Sequence, residues 1–232
     1  MVNIYDGIIW YVVFLLSTTF HEAAHAFSAM KMGDLTAYNS GQVSLNPVPH
    51  IKREPVGTVL VPVISFFAAG WMMGWARTPY NYEWAYTHPK KAAAMAAAGP
   101  VANFILLFLA GLLIHAGIYF GVFYAPSSIT ISSLVGSYST GAFEVLAKFL
   151  SILFSLNLIL FVFNLIPFPP LDGSGIIPMY LPDEAGRKYM NFVRTSAFSL
   201  IGLLIAWKLF DLIYFKIHLV FINLLYWGSN YQ

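Results

Sequence analysis

The 232-residue sequence predicts an all-α integral membrane protein: a polytopic helical bundle of about four to six membrane segments, one of them re-entrant, with a small β-hairpin after the first helix. Three observations predict it. Hydrophobic residues make up 59% of the chain and charged residues only 9%, where soluble domains carry about 25% charge. Apolar stretches at 8–30, 92–119 and 143–164 reach the roughly 20 residues that a bilayer crossing needs. Polar segments rich in Gly, Pro, Ser and Asn separate them. No internal repeat or low-complexity linker is visible, so the chain reads as one domain over residues 1–232, with a core at about 8–182 and a C-terminal helical extension at 183–232.

Composition also limits the chemistry. There is no cysteine, which rules out disulfides, thiolate zinc ligands and thiol nucleophiles and leaves His and carboxylate as metal ligands. The net charge of +2, without a basic patch interleaved with aromatics, gives no reason to expect a nucleic-acid partner.

The first helix spans about Ile8 to Met32 and stops at Gly33. It lacks a basic leader and a small-residue cleavage site, so it reads as a retained helix. Asp34 to Pro47 is polar and broken by Gly41, which predicts a β-hairpin or strand pair. Val56 to Trp75 is apolar but interrupted by Gly57, Pro62, Gly70 and Gly74; Gly74 to Lys91 reads as a loop. Strong helices follow at Ala92–Tyr119 and Phe143–Asn164, separated by a Gly-, Ser- and Thr-rich loop at Gly121–Gly141. Asn164 to Gly173 is a stiff, proline-rich run. Asp183–Glu184 marks the start of a helix that runs through Arg187, Lys188 and Arg194 into Ala197–Phe210, and Leu212–Trp227 follows it; whether the last crosses a membrane or lies on it stays open.

The chemistry centres on His21-Glu22-Ala23-Ala24-His25. Two imidazoles four residues apart share one helix face and can bind one metal ion, and the glutamate between them stands where it can take a proton from an attacking water. Ionisable groups in a membrane-length apolar segment are costly and mark function. A catalytic zinc needs a third protein ligand. Among the ten acids, Asp172 alone lies in a proline-braced run at the end of an apolar helix, which makes it the candidate. Sharing one ion requires the exits of the first helix and of the Phe143–Asn164 helix to lie on one side. Nine of the twelve Lys and Arg fall on that side and none in the Gly121–Gly141 loop, so the site faces the cytoplasm by the positive-inside rule. The Val56–Trp75 stretch must then return to its own side, which predicts a re-entrant hairpin.

The motifs His21-Glu-Ala-Ala-His25, Gly99-Pro-Val-Ala-Asn103 and Asn164-Leu-Ile-Pro-Phe-Pro-Pro-Leu-Asp172-Gly resemble the site-2 protease family of intramembrane zinc metalloproteases. Leu45-Asn-Pro-Val-Pro-His50 and Gly57-Thr-Val-Leu-Val-Pro62 resemble its short, single-domain microbial branch. The likeness runs from about Phe14 to Pro182. It implies one Zn2+ per chain held by His21, His25 and Asp172, and hydrolysis of transmembrane or membrane-adjacent peptide segments by a multi-pass protein of a microbial plasma membrane. Ser174 departs from the second glycine common after Asp-Gly, and the PDZ or CBS domain of many relatives has no counterpart here.

Glu22 is then the general base. Asn103 and Asn164, amides in apolar helices, are candidate oxyanion donors; helix–helix hydrogen bonding is the competing role. Gly41, Gln42, Val43, Ser44, Leu45 and Asn46 are candidates for a strand whose free edge pairs an unwound substrate. His50, His88, His115 and His218 read as packing or interfacial residues, and Lys208, Asp211 and Lys216 as a salt-bridged stripe. Two other functions are compatible with the same cluster: a metal or proton transporter, and a zinc-binding relative that does not cleave. The oligomeric state is not legible.

Overall fold

The computed structural model describes residues 3–194, 196–227 and 231. Three long helices form its centre: α1 (Ile4–Met32), α6 (Pro89–Tyr119) and α7 (Ala142–Asn164). Each is long and apolar enough to cross a membrane. The ends of α1 follow from local chemistry. Asn3 accepts a hydrogen bond from the Tyr5 N–H, and Gly33, at φ 107°, turns the chain while its N–H bonds back to Ala29 and Met30. The core between the helices holds Trp10, Val13 and Phe14 of α1, Leu107 and Ile114 of α6, and Leu150 and Leu156 of α7. Outward residues of α6 such as Val101, Phe104, Phe108 and Leu112 are apolar and exposed, as a lipid-facing surface requires.

The bundle has two faces. On the proximal face α1 ends, α6 begins and α7 ends, with Lys91 and Trp84 both donating to the carbonyl of Met32. On the distal face Lys148 pairs with Asp6 at 2.7 Å and Trp10 donates to Ser132.

Between α1 and α6 lie α2 (Thr36–Asn39), α3 (Pro47–Arg53), a π-helical turn at Val56–Leu60, α4 (Val61–Ala69) and α5 (Tyr82–Thr87). The hairpin expected after the first helix is not there. Asp34 accepts from both the N–H and the hydroxyl of Thr36, which winds the chain into α2. Gly41 at φ 74° closes a turn, the Gln42 N–H bonds back to Ala37, and Asn46 caps α3. The residues 41–46 therefore form turns and bends and pair with no strand. The two-stranded antiparallel sheet lies instead in the distal loop, where β1 (Phe123–Tyr124) pairs with β2 (Gly136–Ser137).

The Val56–Trp75 stretch runs out and back. After α4, Gly70 at φ 77° reverses the chain, and the Trp75 N–H bonds to the Gly57 carbonyl. The two limbs pack so closely that a Cβ on Gly57 would meet the Trp75 carbonyl and one on Gly74 the Gly57 carbonyl. The loop expected at Gly74–Lys91 contains α5, because the Asn81 side chain accepts from the Glu83 and Trp84 N–H groups.

After α7 the chain forms α8 (Asp172–Ile176), a 3₁₀ turn at Ile177–Tyr180 and α9 (Asp183–Val193), whose acidic first turn follows Pro182. The helix expected to run from Asp183 into Ala197–Phe210 ends instead at Val193, and residues 197–210 join those of the expected Leu212–Trp227 helix in one helix, α10 (Ser196–Leu225). Gly202 lies against the Pro169 carbonyl on the proximal side, and the Tyr226 hydroxyl donates to the Leu134 carbonyl in the distal loop. Ile222, Leu225 and Tyr226 join the same core as α1, α6 and α7. Of the four to six segments expected, three meet the length and composition of a span among the described residues, and α10 links the same two faces.

Candidate metal centre and active site

Helical spacing places His21 and His25 one turn apart on the buried side of α1. Asp172 comes from the first turn of α8. Its backbone is brought in by Gly173, which packs on the Leu165 and Ile166 carbonyls, and by Gly175, which packs on Ala96 of α6. The three ligand atoms converge. The two Nε2 atoms are 3.0 Å apart, and the Asp172 carboxylate lies 3.1 Å from His21 Nε2 and 3.4 Å from His25 Nε2. Ligands held tetrahedrally at about 2.0–2.2 Å from zinc lie roughly 3.3–3.6 Å apart, so the triangle is close to the dimensions of a zinc site and slightly tighter on two edges. Among the described residues it is the cluster of His and carboxylate that could hold a metal.

The surroundings fix how the imidazoles present themselves. His21 Nδ1 is 2.6 Å from Asn103 Oδ1 and His25 Nδ1 is 2.7 Å from the Met95 carbonyl. Both acceptors lack a proton, so each Nδ1 is the donor and each Nε2 turns a lone pair inward. Two facing lone pairs repel unless a cation lies between them. Gly99 leaves room for one: a Cβ there would collide with Nε2 of both histidines. The close approach at Gly99, the tautomers and the donor set all suit zinc.

Asn103 is part of this support. Its amide NH2 donates to Asn157 Oδ1 at 2.8 Å and to the Ser17 carbonyl, and Asn157 in turn donates to the Ser17 hydroxyl and the Leu153 carbonyl. A chain of hydrogen bonds thus ties α1, α6 and α7 together behind His21. The NH2 of Asn103 is committed to it, which removes Asn103 as an oxyanion donor and gives it the helix–helix role. Asn157 was not singled out from the sequence, although an amide inside Leu153–Val162 is the same signal that pointed to Asn103. Asn164 is half-buried and its side chain has no hydrogen-bond partner among the described residues. Seven residues from Asn157, it lies about two turns further along the same side of α7.

Glu22 is buried beside the two histidines. The Thr78 hydroxyl lies 2.7 Å from Glu22 Oε2 and 2.9 Å from the Glu22 carbonyl. Thr78 carries no motif and was invisible in the sequence. It belongs to an irregular run anchored at both ends, by Met73 N–H on Ser65 and by Asn81 N–H on Asp34. From Ala76 to Tyr80 the main chain makes no hydrogen bond among the described residues. The main chain without hydrogen-bond partners next to Glu22 among the described residues is therefore this run, and residues 41–46 form no strand.

The other histidines stay apart from the metal cluster. His50 is buried on the Ser44 carbonyl, His88 caps α5, and His218 stacks on Tyr214. The stripe expected at Lys208, Asp211 and Lys216 forms no salt bridge; the Lys–carboxylate pairs among the described residues lie elsewhere.

The profile of Peptidase family M50 matches residues 9–209. A Bacillus subtilis protein named "Putative zinc metalloprotease YwhC" is 38% identical over 179 residues, covering 76% of this chain and 71% of that protein. Proteins given the same description under the name Rip2 are similar at lower identity: 25% over 185 residues in Mycolicibacterium smegmatis, covering 79% of this chain and 62% of that one, and 27% over 203 residues in Mycobacterium tuberculosis, covering 87% and 68%. No solved structure matches the chain.

Proposed function

The chain belongs to peptidase family M50, the zinc-dependent metalloproteases, and from that premise we propose that it cleaves peptide bonds within or beside membrane-spanning segments of its substrates. The observation that carries the proposal is the convergence of His21, His25 and Asp172 on one point, with Glu22 beside it, inside a bundle whose outer surface is apolar. Such a site meets its substrate at membrane depth. Zinc held by those three residues would lower the pKa of a coordinated water and polarise the scissile carbonyl.

The chain's own residues do the rest. Glu22 accepts the proton of the attacking water and returns it to the leaving amine. Thr78 holds one carboxylate oxygen, leaving the other free to face the substrate. Asn164, with an unpartnered amide, supplies a donor to the developing oxyanion. A substrate segment must unwind before hydrolysis, and its exposed backbone groups need partners. The unpaired main chain of Ala76–Tyr80 offers them beside Glu22; Ala76→Pro, which removes one donor, is expected to lower hydrolysis about tenfold with zinc retained, and unchanged hydrolysis would end this role. The proximal face points to the cytoplasm, a reading supported by the basic residues Lys52, Arg77 and Arg187. A cysteine introduced at Arg77 and labelled only from outside intact cells would reverse that orientation.

Purified protein with zinc and a labelled membrane peptide tests the whole reading. Glu22→Gln is expected to cut hydrolysis by about 10²–10⁴-fold, the span of general acid–base catalysis, while zinc content persists. His21→Ala is expected to lose both. Normal cleavage by Glu22→Gln, or ion flux in liposomes without cleavage, would refute the proposal.

A further inference from the structure

α10 carries Lys208, Asp211 and Lys216, all exposed. They sit at its middle, since no Asp, Glu, Lys or Arg occurs in residues 197–207 or 217–225. The helix joins the same two faces of the molecule as α7. If the bundle spans a bilayer, the premise carried over from the reading above, these uncharged flanks rise about 17 Å and 13 Å. The charges are then placed well inside a hydrocarbon layer about 30 Å thick. No group of the chain pairs with them among the described residues. Charges facing lipid at that depth are expensive, and they persist where another surface covers them.

We propose that this side of α10 is an interface between two copies of the chain. The argument is charge complementarity. Lys208 and Asp211, three residues apart, project from the same side of the helix. Two copies inserted in one membrane point the same way, so a twofold axis along the membrane normal relates them. The two α10 helices then run parallel, and Lys208 of one copy faces the partner's Asp211 across an axial stagger of about 4.5 Å, which a lysine side chain spans. The pairing is reciprocal, and the patch is complementary to itself. Leu204, Leu212 and Phe215 lie on the same side and are exposed, which supplies apolar packing around the two ion pairs. Any other helix seated here would have to bring the opposite pattern of charge; this chain already carries it. Lys216 lies about 80° round the axis from Lys208, on the rim of the apolar groove between α7 and α10, and is not part of the pairing.

The chain has no cysteine, so single cysteines report directly. Leu204→Cys and Phe215→Cys, about three turns apart on the interface side, are expected to oxidise to disulfide-linked dimers in isolated membranes. Leu109→Cys, on the outward side of α6, is not. In the Leu204→Cys background, Lys208→Asp or Asp211→Lys alone should lower cross-linking more than about tenfold, and the two together should restore it to within about threefold. Resistance to alkaline carbonate extraction reads membrane insertion separately. An extracted chain removes the premise and the proposal with it. An embedded chain overturns the interface if it stays monomeric at positions 204 and 215, if it cross-links equally at 109, or if position 204 captures a different protein. Failure of the double exchange to restore the dimer overturns the ion pairing.

Discussion

At the metal centre, Ser17, His21, Asn103 and Asn157 are buried, and each meets a partner on a different helix. On α10, Lys208 and Asp211 are exposed and meet none among the described residues. Both regions set polar groups on strongly apolar helices, where an unpaired polar group is costly. The difference lies in where the pairing is completed. Behind the histidines it closes inside the chain, so hydrogen bonds from neighbouring helices hold the His21 imidazole in position. On α10 it is left open toward the outside, which is the mark of a contact surface rather than of a site.

The comparison breaks most sharply at Gly99. Gly99→Ala puts a methyl group where both Nε2 atoms now face open space, while alanine suits a helix better than glycine. Zinc content and hydrolysis should both fall to background, with helicity by circular dichroism unchanged. Full zinc occupancy in that variant would mean that the ion does not sit between the histidines and Gly99.

A smaller effect tests the support network. Asn103→Leu removes the acceptor of His21 Nδ1 and leaves Asn157 Oδ1 without its donor. Loss of such an outer partner lowers metal affinity by about 10–100-fold, measurable by competition with a chelator. The matched change on α10, Lys208→Leu with Asp211→Leu, should leave zinc affinity alone. If both variants bind zinc equally well, the two regions do not differ in the way described.

The smallest expected effect concerns Glu22. Thr78→Val removes the hydroxyl at 2.7 Å from Oε2 but touches no metal ligand. It should lower kcat by about tenfold, within the range of a mispositioned general base, with zinc content unchanged. Thr78→Ser, which keeps the hydroxyl, should recover most of the loss. Equal rates for valine and threonine would show that Glu22 needs no such anchor.

The sequence by itself determined much of this protein. The apolar runs set the three long helices, because their length and composition leave few other folds. The i, i+4 spacing of His21 and His25 set two converging imidazoles, because helical periodicity is local. Asp172 was legible for a weaker reason: it was the carboxylate in a stiff run. Tertiary structure alone decided the remainder. Residues 34–46 carry strand-like chemistry, yet the Asp34 carboxylate winds them into a helical turn and also accepts from Asn81, a residue 47 positions away. The apparent break at Phe210–Leu212 is bridged because α10 packs along α7, with Phe210 against Phe163. Asn103 looked equally suited to an oxyanion and to a neighbouring helix until Asn157 and Ser17 were seen to occupy it. Thr78 reaches Glu22 across 56 residues of chain. Local pattern specifies what a few neighbouring residues can do to one another; it holds no record of which distant backbone or amide will arrive to complete the pairing.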